Sequence, residues 1–311
     1  MPPTRRRPAP RALPLGDTDP YRPTPQQPVR CRSRQIDSDN QFEPHHHAWG
    51  QLAYCASGLL QVTVGAVDLQ APGETTTIVP PSRAVWIPPG ARHAVTIVES
   101  AQLLTLYIDA SAVPVHWGRS RVLVVSPLLR ELVLALDRPQ QPAGEAGRAL
   151  LTLLLHEMEH AATQPLGVPM PSASSGDRRL RNLCEAVMQA PAQHATLAAW
   201  AVYAGASERT LARLFRDELG TSFQRWRQQV VLAHAMPMLA RGVSVGRVAQ
   251  ASGYASESAF SAMFKSAMGL PPTRLLAQVN STPQAGAAQS TPQAGTASST
   301  PQAGTASSTR A

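Results

Sequence analysis

The 311-residue chain is 43% hydrophobic but has no apolar run near the ~20 residues that cross a bilayer, so a membrane-spanning helix is excluded. Its three cysteines, Cys31, Cys55 and Cys184, are widely spaced with no CxxC pair, which argues against a disulfide framework and for reduced thiols in a cytoplasm. The net charge of +8 is segregated: residues 1–34 carry +6, residues 35–176 carry −5 and residues 177–279 carry +6, so the last third is expected to meet a polyanion.

Residues 1–35 are rich in Pro and Arg and lack periodicity. They contain no apolar stretch of a secretory leader, and the expectation is a disordered basic arm. From about 49 to 108, short apolar runs ("GQLAYCA", "GLLQVTV", "TTTIV", "RAVWI", "HAVTIV", "QLLTLYI") alternate with turn signals such as Pro88-Pro89-Gly90. Many short strands at this spacing predict a small sandwich or barrel over residues 36–115.

Within that region, "HHHAWGQ" followed by Gly58 and then "PPGARH" resemble the two cupin motifs. His45, His47, Gln51 and Gly58 have the first motif's spacing, with Gln51 where the family has an acid. Pro88, Gly90 and His93 satisfy the second, with Ile97 replacing its usual asparagine. The resemblance implies a cupin-like barrel in which His45, His47, Gln51 and His93 would be the metal positions, three imidazoles and an amide oxygen able to hold Fe(II), Mn, Ni or Zn. The other expectation is a sensory barrel without metal or cofactor. Trp49, Tyr54, Trp86 and Tyr107 are then candidates to line an aromatic effector pocket, or are plain core.

After Pro127 the periodicity changes to helix, "LLRELVLALD" and "RALLTLLLHEMEHAA", within a helical segment predicted over 116–162. Here His156-Glu157-Met158-Glu159-His160 reads as H-E-x-x-H, the zinc-protease signature. At ~100° per residue, Leu151, Leu154, Leu155 and Met158 share one face, and His156 and His160 lie on the opposite side. The third-ligand extension is missing, since "AATQPLG" follows. The apolar seam explains the helix without metal, and no catalytic residue is assigned.

"TQPLGVPMPSASSGD", 163–177, reads as a linker, and 178–279 as all helix and turn. Residues 196–220 and 244–269 are an internal duplication. Leu197 matches Val245, Ala201 Ala249, Gly205 Gly253, Ser207-Glu208 Ser256-Glu257, Phe215 Phe264 and Gly220 Gly269. Each copy has a short helix, a glycine turn, a serine cap and a second helix with an apolar stripe, a grammar of helix-turn-helix written twice. In the first copy Ser207 caps, and Glu208, Arg209, Arg213 and Arg216 face outward. Arg can fork onto guanine and Glu can accept from cytosine N4, and Arg216 is placed for phosphate. In the second copy Ser256 caps and is a further DNA-contact candidate, and the outward set is Glu257, Ser258, Ser261, Ala262 and Lys265, whose small residues suit van der Waals and backbone contacts.

"SERTLARLFRDELGTSF", "GVSVGRVAQASGYASESAFSAMFK" and "MGLPP" resemble the AraC/XylS transcription regulators over about 100 residues. The resemblance implies two helix-turn-helix units joined by a long helix, about 222–240, reading adjacent major-groove segments. Three positions depart from it: Pro237 lies inside the linking helix, where a kink is expected, Ala262 replaces an arginine, and Leu276 stands where the family often ends in arginine. The nine-residue repeat "STPQAGTAS" and its variants make 280–311 a disordered tail by composition.

The chain is therefore expected to be an α+β multidomain protein: a cupin-like barrel with a helical dimerisation segment, then an all-α double helix-turn-helix domain. The expected partners are double-stranded DNA, a small-molecule effector, a second copy of the chain and RNA polymerase, with no membrane. The implied function is a cytoplasmic, effector-responsive transcription regulator of nearby genes, such as a transporter or efflux gene. The alternatives are a metal-dependent cupin enzyme fused to a DNA-binding domain and, more remotely, a zinc hydrolase built on the H-E-x-x-H helix.

Overall fold

The computed structural model describes residues 10–15, 18–65, 73–138, 144–172, 174–194 and 196–280. Among these residues the strands are β1 (Arg11–Leu13), β2 (Val29–Ile36), β3 (Asn40–His45), β4 (Gly50–Gly65), β5 (Glu74–Val79), β6 (Arg83–Ile87), β7 (His93–Ile108), β8 (Arg121–Val124), β9 (Thr163–Gln164) and β10 (Gly167–Met170). They form one sheet organised around β4 and β7, each 16 residues long and paired along most of their length. The first half of β4 pairs β6 and its second half pairs β5, while β7 pairs β3 near its start and β2 near its end. The two long strands thus belong to both halves of the sheet.

A bulge between Cys55 and Leu60 divides the halves. Gly58 sits there at φ 85°, and a Cβ would collide with the Ser100 carbonyl and Ala101. Only glycine combines that dihedral with so close a backbone approach.

Alternation along the strands sorts the side chains into two cores. Leu52, Tyr54, Ala84, Trp86, Leu104, Leu106 and Leu123 cluster with Leu129, Leu132 and Val133 of α1 (Pro127–Leu136) and Leu154 and Met158 of α2 (Gly144–His160). Their neighbours Ala53, Cys55, Val85, Ile87 and Leu103 cluster instead with Leu60, Val62, Ile78, Val95 and Ile97 of the other half.

Three expectations are corrected here. The arm is not disordered throughout: β2 lies within it, paired with β7, burying Val29 and Cys31 in the helix-covered core and Ile36, on its other face, in the second core, while Arg32 and Arg34 lie over the rings of Tyr21 and Phe42. The segment 116–162 is not wholly helical, since β8 pairs β6 before α1 begins. The linker is partly sheet: β9 pairs β8, β10 pairs β5, and Leu166 and Val168 are buried. Residues 1–9 of the arm and 281–311 of the repeat tail lie outside the described residues.

The C-terminal part is helical: α3 (Arg178–Gln189), α4 (Leu197–Ala204), α5 (Glu208–Leu219), α6 (Phe223–Ala240), α7 (Val245–Ala251), α8 (Glu257–Met268) and α9 (Pro272–Asn280). α6 continues through Pro237, which stands in its last turn. Its residues Val231, Leu232, Ala235, Met236 and Leu239, with Phe260 and Phe264 of α8 and Leu275 of α9, belong to the same apolar cluster as Leu60, Val62 and Ile78 of the sheet. The helical half is therefore docked on the β half through α6 and α9, which contact β4.

Candidate nucleic-acid interface and histidine cluster

The two helix-turn-helix units share their local construction. Gly205 ends α4 in the left-handed region at φ 60°, and Gly253 follows α7 at φ 77°. Ser207 Oγ accepts from the Thr210 backbone N–H at 3.1 Å, and Ser256 Oγ accepts from that of Ala259 at 3.2 Å. Gly220 and Gly269 then stop α5 and α8 with positive φ. Each second helix buries one stripe, Leu211, Phe215 and Leu219 in α5 and Phe260, Phe264 and Met268 in α8. Burying those rings turns the opposite face outward.

Glu208, Arg209, Arg213 and Arg216 of α5 are accordingly exposed, with the cap Ser207, and so are Ser256, Glu257, Ser258 and Lys265 of the second unit. Ser261 is half-buried. Between the units lies a cleft of about 640 Å³, lined by Glu208 and Arg216 of α5, Ser222, Gln224 and Arg227 at the start of α6, and Tyr254. Arg227 was not singled out from sequence. Its Nη2 donates to the Pro191 carbonyl at 2.9 Å and reaches that of Ser252 at 3.5 Å, so one guanidinium ties the end of each unit's scaffold to the linking helix. Nothing in the spacing around Arg227 signals this, because its partners are backbone carbonyls 25 and 36 residues away.

The β half brings together four of the predicted residues. His45 ends β3, His47 is in the turn after it, Gln51 is second in β4 and His93 opens β7 opposite His45. One ring nitrogen from each of His45, His47 and His93 lies within 4.8 Å of the others. Each Nδ1 faces a backbone carbonyl: Glu43 at 2.7 Å, Trp49 at 2.7 Å and Ala91 at 2.9 Å. Burial pushes the pKa of all three histidines down, that of His93 to about 3. A neutral imidazole whose Nδ1 donates carries its lone pair on Nε2, so all three are held in the metal-ligating tautomer by their outer partners.

His93 is 1% exposed and its Nε2 has no partner. His47 Nε2 lies 2.9 Å from Gln51 Oε1, two acceptors face to face unless the amide turns over or a cation lies between them. The residues therefore fit a divalent transition metal: three imidazole donors and one amide.

The four aromatics expected to line an effector pocket are divided. Trp49 stacks on His47 at 4.9 Å and Tyr107 meets His47 edge-on at 6.0 Å. Tyr54 and Trp86 belong to the other core; Trp86 packs on Trp117 and donates to its carbonyl at 2.9 Å. The strand period puts Tyr54 and Trp86 on the helix-covered face, so the four do not share a cavity. The free space beside His45, Gln51 and Tyr107 is about 20 Å³, enough for one water-sized occupant.

The H-E-x-x-H helix has the arrangement its periodicity predicts. Leu154 and Met158 are buried, and His156 and His160 are exposed with rings 4.1 Å apart. His160 Nδ1 faces the His156 carbonyl at 2.9 Å, and Glu157 accepts at 2.9 Å from the hydroxyl of Ser126, the residue that caps α1. Among the described residues, neither histidine joins a group of three potential metal ligands. All three cysteines are free and buried, their thiols pushed up by burial, that of Cys31 to about 12. No described helix is long and apolar enough to cross a membrane.

Comparison with known proteins matches residues 27–169 to the AraC-like ligand binding domain and residues 200–278 to a helix-turn-helix domain. The HTH-type transcriptional regulator NimR of Escherichia coli K12 is 35% identical over 244 residues, covering 78% of this chain and 85% of that protein. RipA of Corynebacterium glutamicum, also an HTH-type transcriptional regulator, is 30% identical over 115 residues, 37% of this chain and 32% of its own. Among solved structures, ToxT of Vibrio cholerae aligns with 82% of this chain and all of its own at 11% identity and a TM-score of 0.35. With a ligand-binding half, two capped recognition helices and a relative matched across both halves, this chain belongs to the AraC family of helix-turn-helix transcriptional regulators.

Proposed function

We propose that the chain is a cytoplasmic regulator that reads two adjacent major-groove segments through α5 and α8 and is controlled by an effector taken up in its β half. The observation carrying this is the pair of serine-capped helices whose exposed faces flank one basic cleft. Arg209 and Arg213 are the base-reading candidates in α5. Arg216, Ser222 and Lys265 are placed for phosphate, and Glu208, Glu257, Ser258 and Ser261 complete the two surfaces.

The β half is read as a cupin-like barrel and as a sensor without catalytic activity. A second copy is proposed to dock on α1 and α2, where Leu128 and Leu153 are 45% and 40% exposed beside a buried apolar seam. The dimer would present two double helix-turn-helix units to one operator, where RNA polymerase meets it. The target genes, such as a neighbouring transporter gene, follow only from family likeness.

The test is binding of the full chain to DNA flanking its own gene as salt rises. A protein using six or more phosphate contacts loses about 10³-fold or more in affinity between 50 and 200 mM salt. Flat salt dependence, or no preference over unrelated DNA, would refute the reading.

A further inference from the structure

The histidine cluster says which chemical class the effector belongs to. From the neutral donor set of His45, His47, His93 and Gln51 we infer that the β half binds one exchangeable transition-metal ion of the zinc–nickel class, and that its loading is the signal the regulator reads. This rests on the regulator reading above for its second half only; the site itself does not depend on it.

The first argument is the state of the donors. Three imidazoles are each oriented by a carbonyl behind them, and His93 Nε2 is fully enclosed without a partner. Such an arrangement leaves the His93 lone pair enclosed with no protein donor among the described residues, an acceptor that a cation satisfies. The acceptor-to-acceptor approach of His47 and Gln51 is likewise relieved by a cation between them. The space beside His45 and Gln51, about 20 Å³, suits an ion with at most one small further ligand.

The second argument is selectivity. Among the described residues the cluster contains no carboxylate, and the fixed charge acting on it, Arg34 beside His45, is cationic. Mg²⁺ and Mn²⁺ depend on anionic oxygen ligands and have little to gain here. Zn²⁺, Ni²⁺ and Co²⁺ bond strongly to neutral imidazole and retain most of their affinity. Gln51 is thus the residue that tunes the site: an acid there would add a charged oxygen and favour the harder ions. A neutral set also holds its ion less tightly than one with an acid, as exchange requires.

The third argument is connection. His93 pairs with His45 of β3 on one side and with Val64 of β4 on the other. α6 contacts β4, β5 and β7, and α9 contacts β4. Drawing β3 and β7 together around an ion acts on the strands that carry the DNA-binding half.

The experiment uses the full chain stripped with a chelator and titrated with Zn²⁺, Ni²⁺, Mn²⁺ and Mg²⁺ against a chromophoric competitor. One equivalent of Zn²⁺ or Ni²⁺ is expected to bind, with Mn²⁺ roughly 100-fold weaker and Mg²⁺ weaker still. His47→Gln and His93→Gln should lose that equivalent while circular dichroism shows an intact fold, and Gln51→Glu should tighten Mn²⁺ by about tenfold. Zn²⁺ should change the affinity of the wild-type chain for DNA flanking its own gene by about fivefold or more, and that of His47→Gln not at all. No stoichiometric Zn²⁺ or Ni²⁺, or an unchanged equivalent in both histidine variants, overturns the site. Equal Mn²⁺ affinity in wild type and Gln51→Glu overturns the role of Gln51. Stoichiometric metal with unaltered DNA affinity overturns the signal. DNA binding absent with and without metal, while the equivalent still binds, instead overturns the regulator reading and leaves the site standing.

Discussion

Arg83 in β6 donates from Nη2 to the carbonyl oxygen of Met268, the last residue of the second recognition helix, at 2.7 Å. The same guanidinium donates from Nε to Gln164 Oε1 at 2.6 Å and from Nη1 to the Ser82 carbonyl at 2.8 Å. Only 4% of Arg83 is exposed, so its charge is neutralised by no solvent and rests on these three acceptors. A helix C-terminus is a favourable neighbour for that charge, because the last carbonyls of α8 have no intrahelical donor. The contact joins the β half directly to the second helix-turn-helix unit. Arg241 adds a second link, donating to Glu99 of β7 at 2.6 Å.

Replacing Arg83 with Met removes the donor and strands the acceptors. A loss of about 1–3 kcal/mol is expected from thermal or denaturant unfolding, the range for leaving a buried polar group unpaired. Amide exchange should rise at the end of α8, and the DNA affinity of the effector-free chain should change. Unaltered exchange there would show that the contact does not hold the two halves together.

Arg209→Ala and Arg213→Ala are each expected to weaken binding to the cognate site by about 1–3 kcal/mol and to relax preference at one base pair, measured by fluorescence anisotropy on single-substitution duplexes. Arg216→Ala should weaken all sequences alike and lower the salt slope by about one. The two patterns separate base reading from phosphate contact.

His156→Ala and His160→Ala are predicted to leave metal content unchanged, measured by elemental analysis of the purified chain. Both side chains are exposed on the side of α2 opposite Leu154 and Met158. Loss of metal in either variant would restore the hydrolase reading.

Asp177 caps α3: its Oδ1 accepts from the Arg179 backbone N–H at 2.8 Å, and its own N–H donates to the Glu218 carboxylate of α5. The Arg179 side-chain hydrogen bond, with the two backbone donors, holds its carboxyl at about 2, below the ordinary 3.8. A depressed folded-state pKa contributes stability above the unfolded value, and that contribution falls away as pH drops from about 4 through about 2. Asp177→Ala is expected to cost about 1 kcal/mol at neutral pH. Asp177→Asn keeps an acceptor and should cost less while removing this part of the acid dependence.

Gly58→Ala should destabilise by more than about 1 kcal/mol, because the side chain meets both a positive φ and the Ser100 carbonyl. Chemical denaturation read at the β half measures it.

Much of this molecule is local, and local features were legible. The caps at Ser207 and Ser256, the glycines after α4 and α7 and the buried stripes of α5 and α8 are set within a few residues, so two copies in register identified both units. The outward position of His156 and His160 followed from helical period alone. The resemblance to the cupin motifs marked His45, His47, Gln51 and His93 before any geometry, though it could not show that Glu43, Trp49 and Ala91 carbonyls orient the rings.

Other features were invisible for a definite reason. β2 was hidden because its half-buried arginines, Arg30, Arg32 and Arg34, look like a charged arm, and its partner β7 lies about 70 residues on. Tyr54 and Trp86 resembled pocket aromatics until the sheet assigned each strand face to one of two cores.

The sequence by itself determined the second helix of each helix-turn-helix unit, their serine caps and the apolar seam of α2, because each depends on residue type and short-range spacing; the donor set of the histidine cluster was legible only through the cupin resemblance, since His93 stands 46 residues beyond His47. Only the tertiary structure decided that Arg83 grips Met268, that Arg227 brackets both units and that the helical half shares one apolar cluster with the sheet. Those contacts join residues far apart in the chain, often through backbone carbonyls. Every residue carries such a carbonyl, and no side-chain pattern marks which one a buried arginine will find.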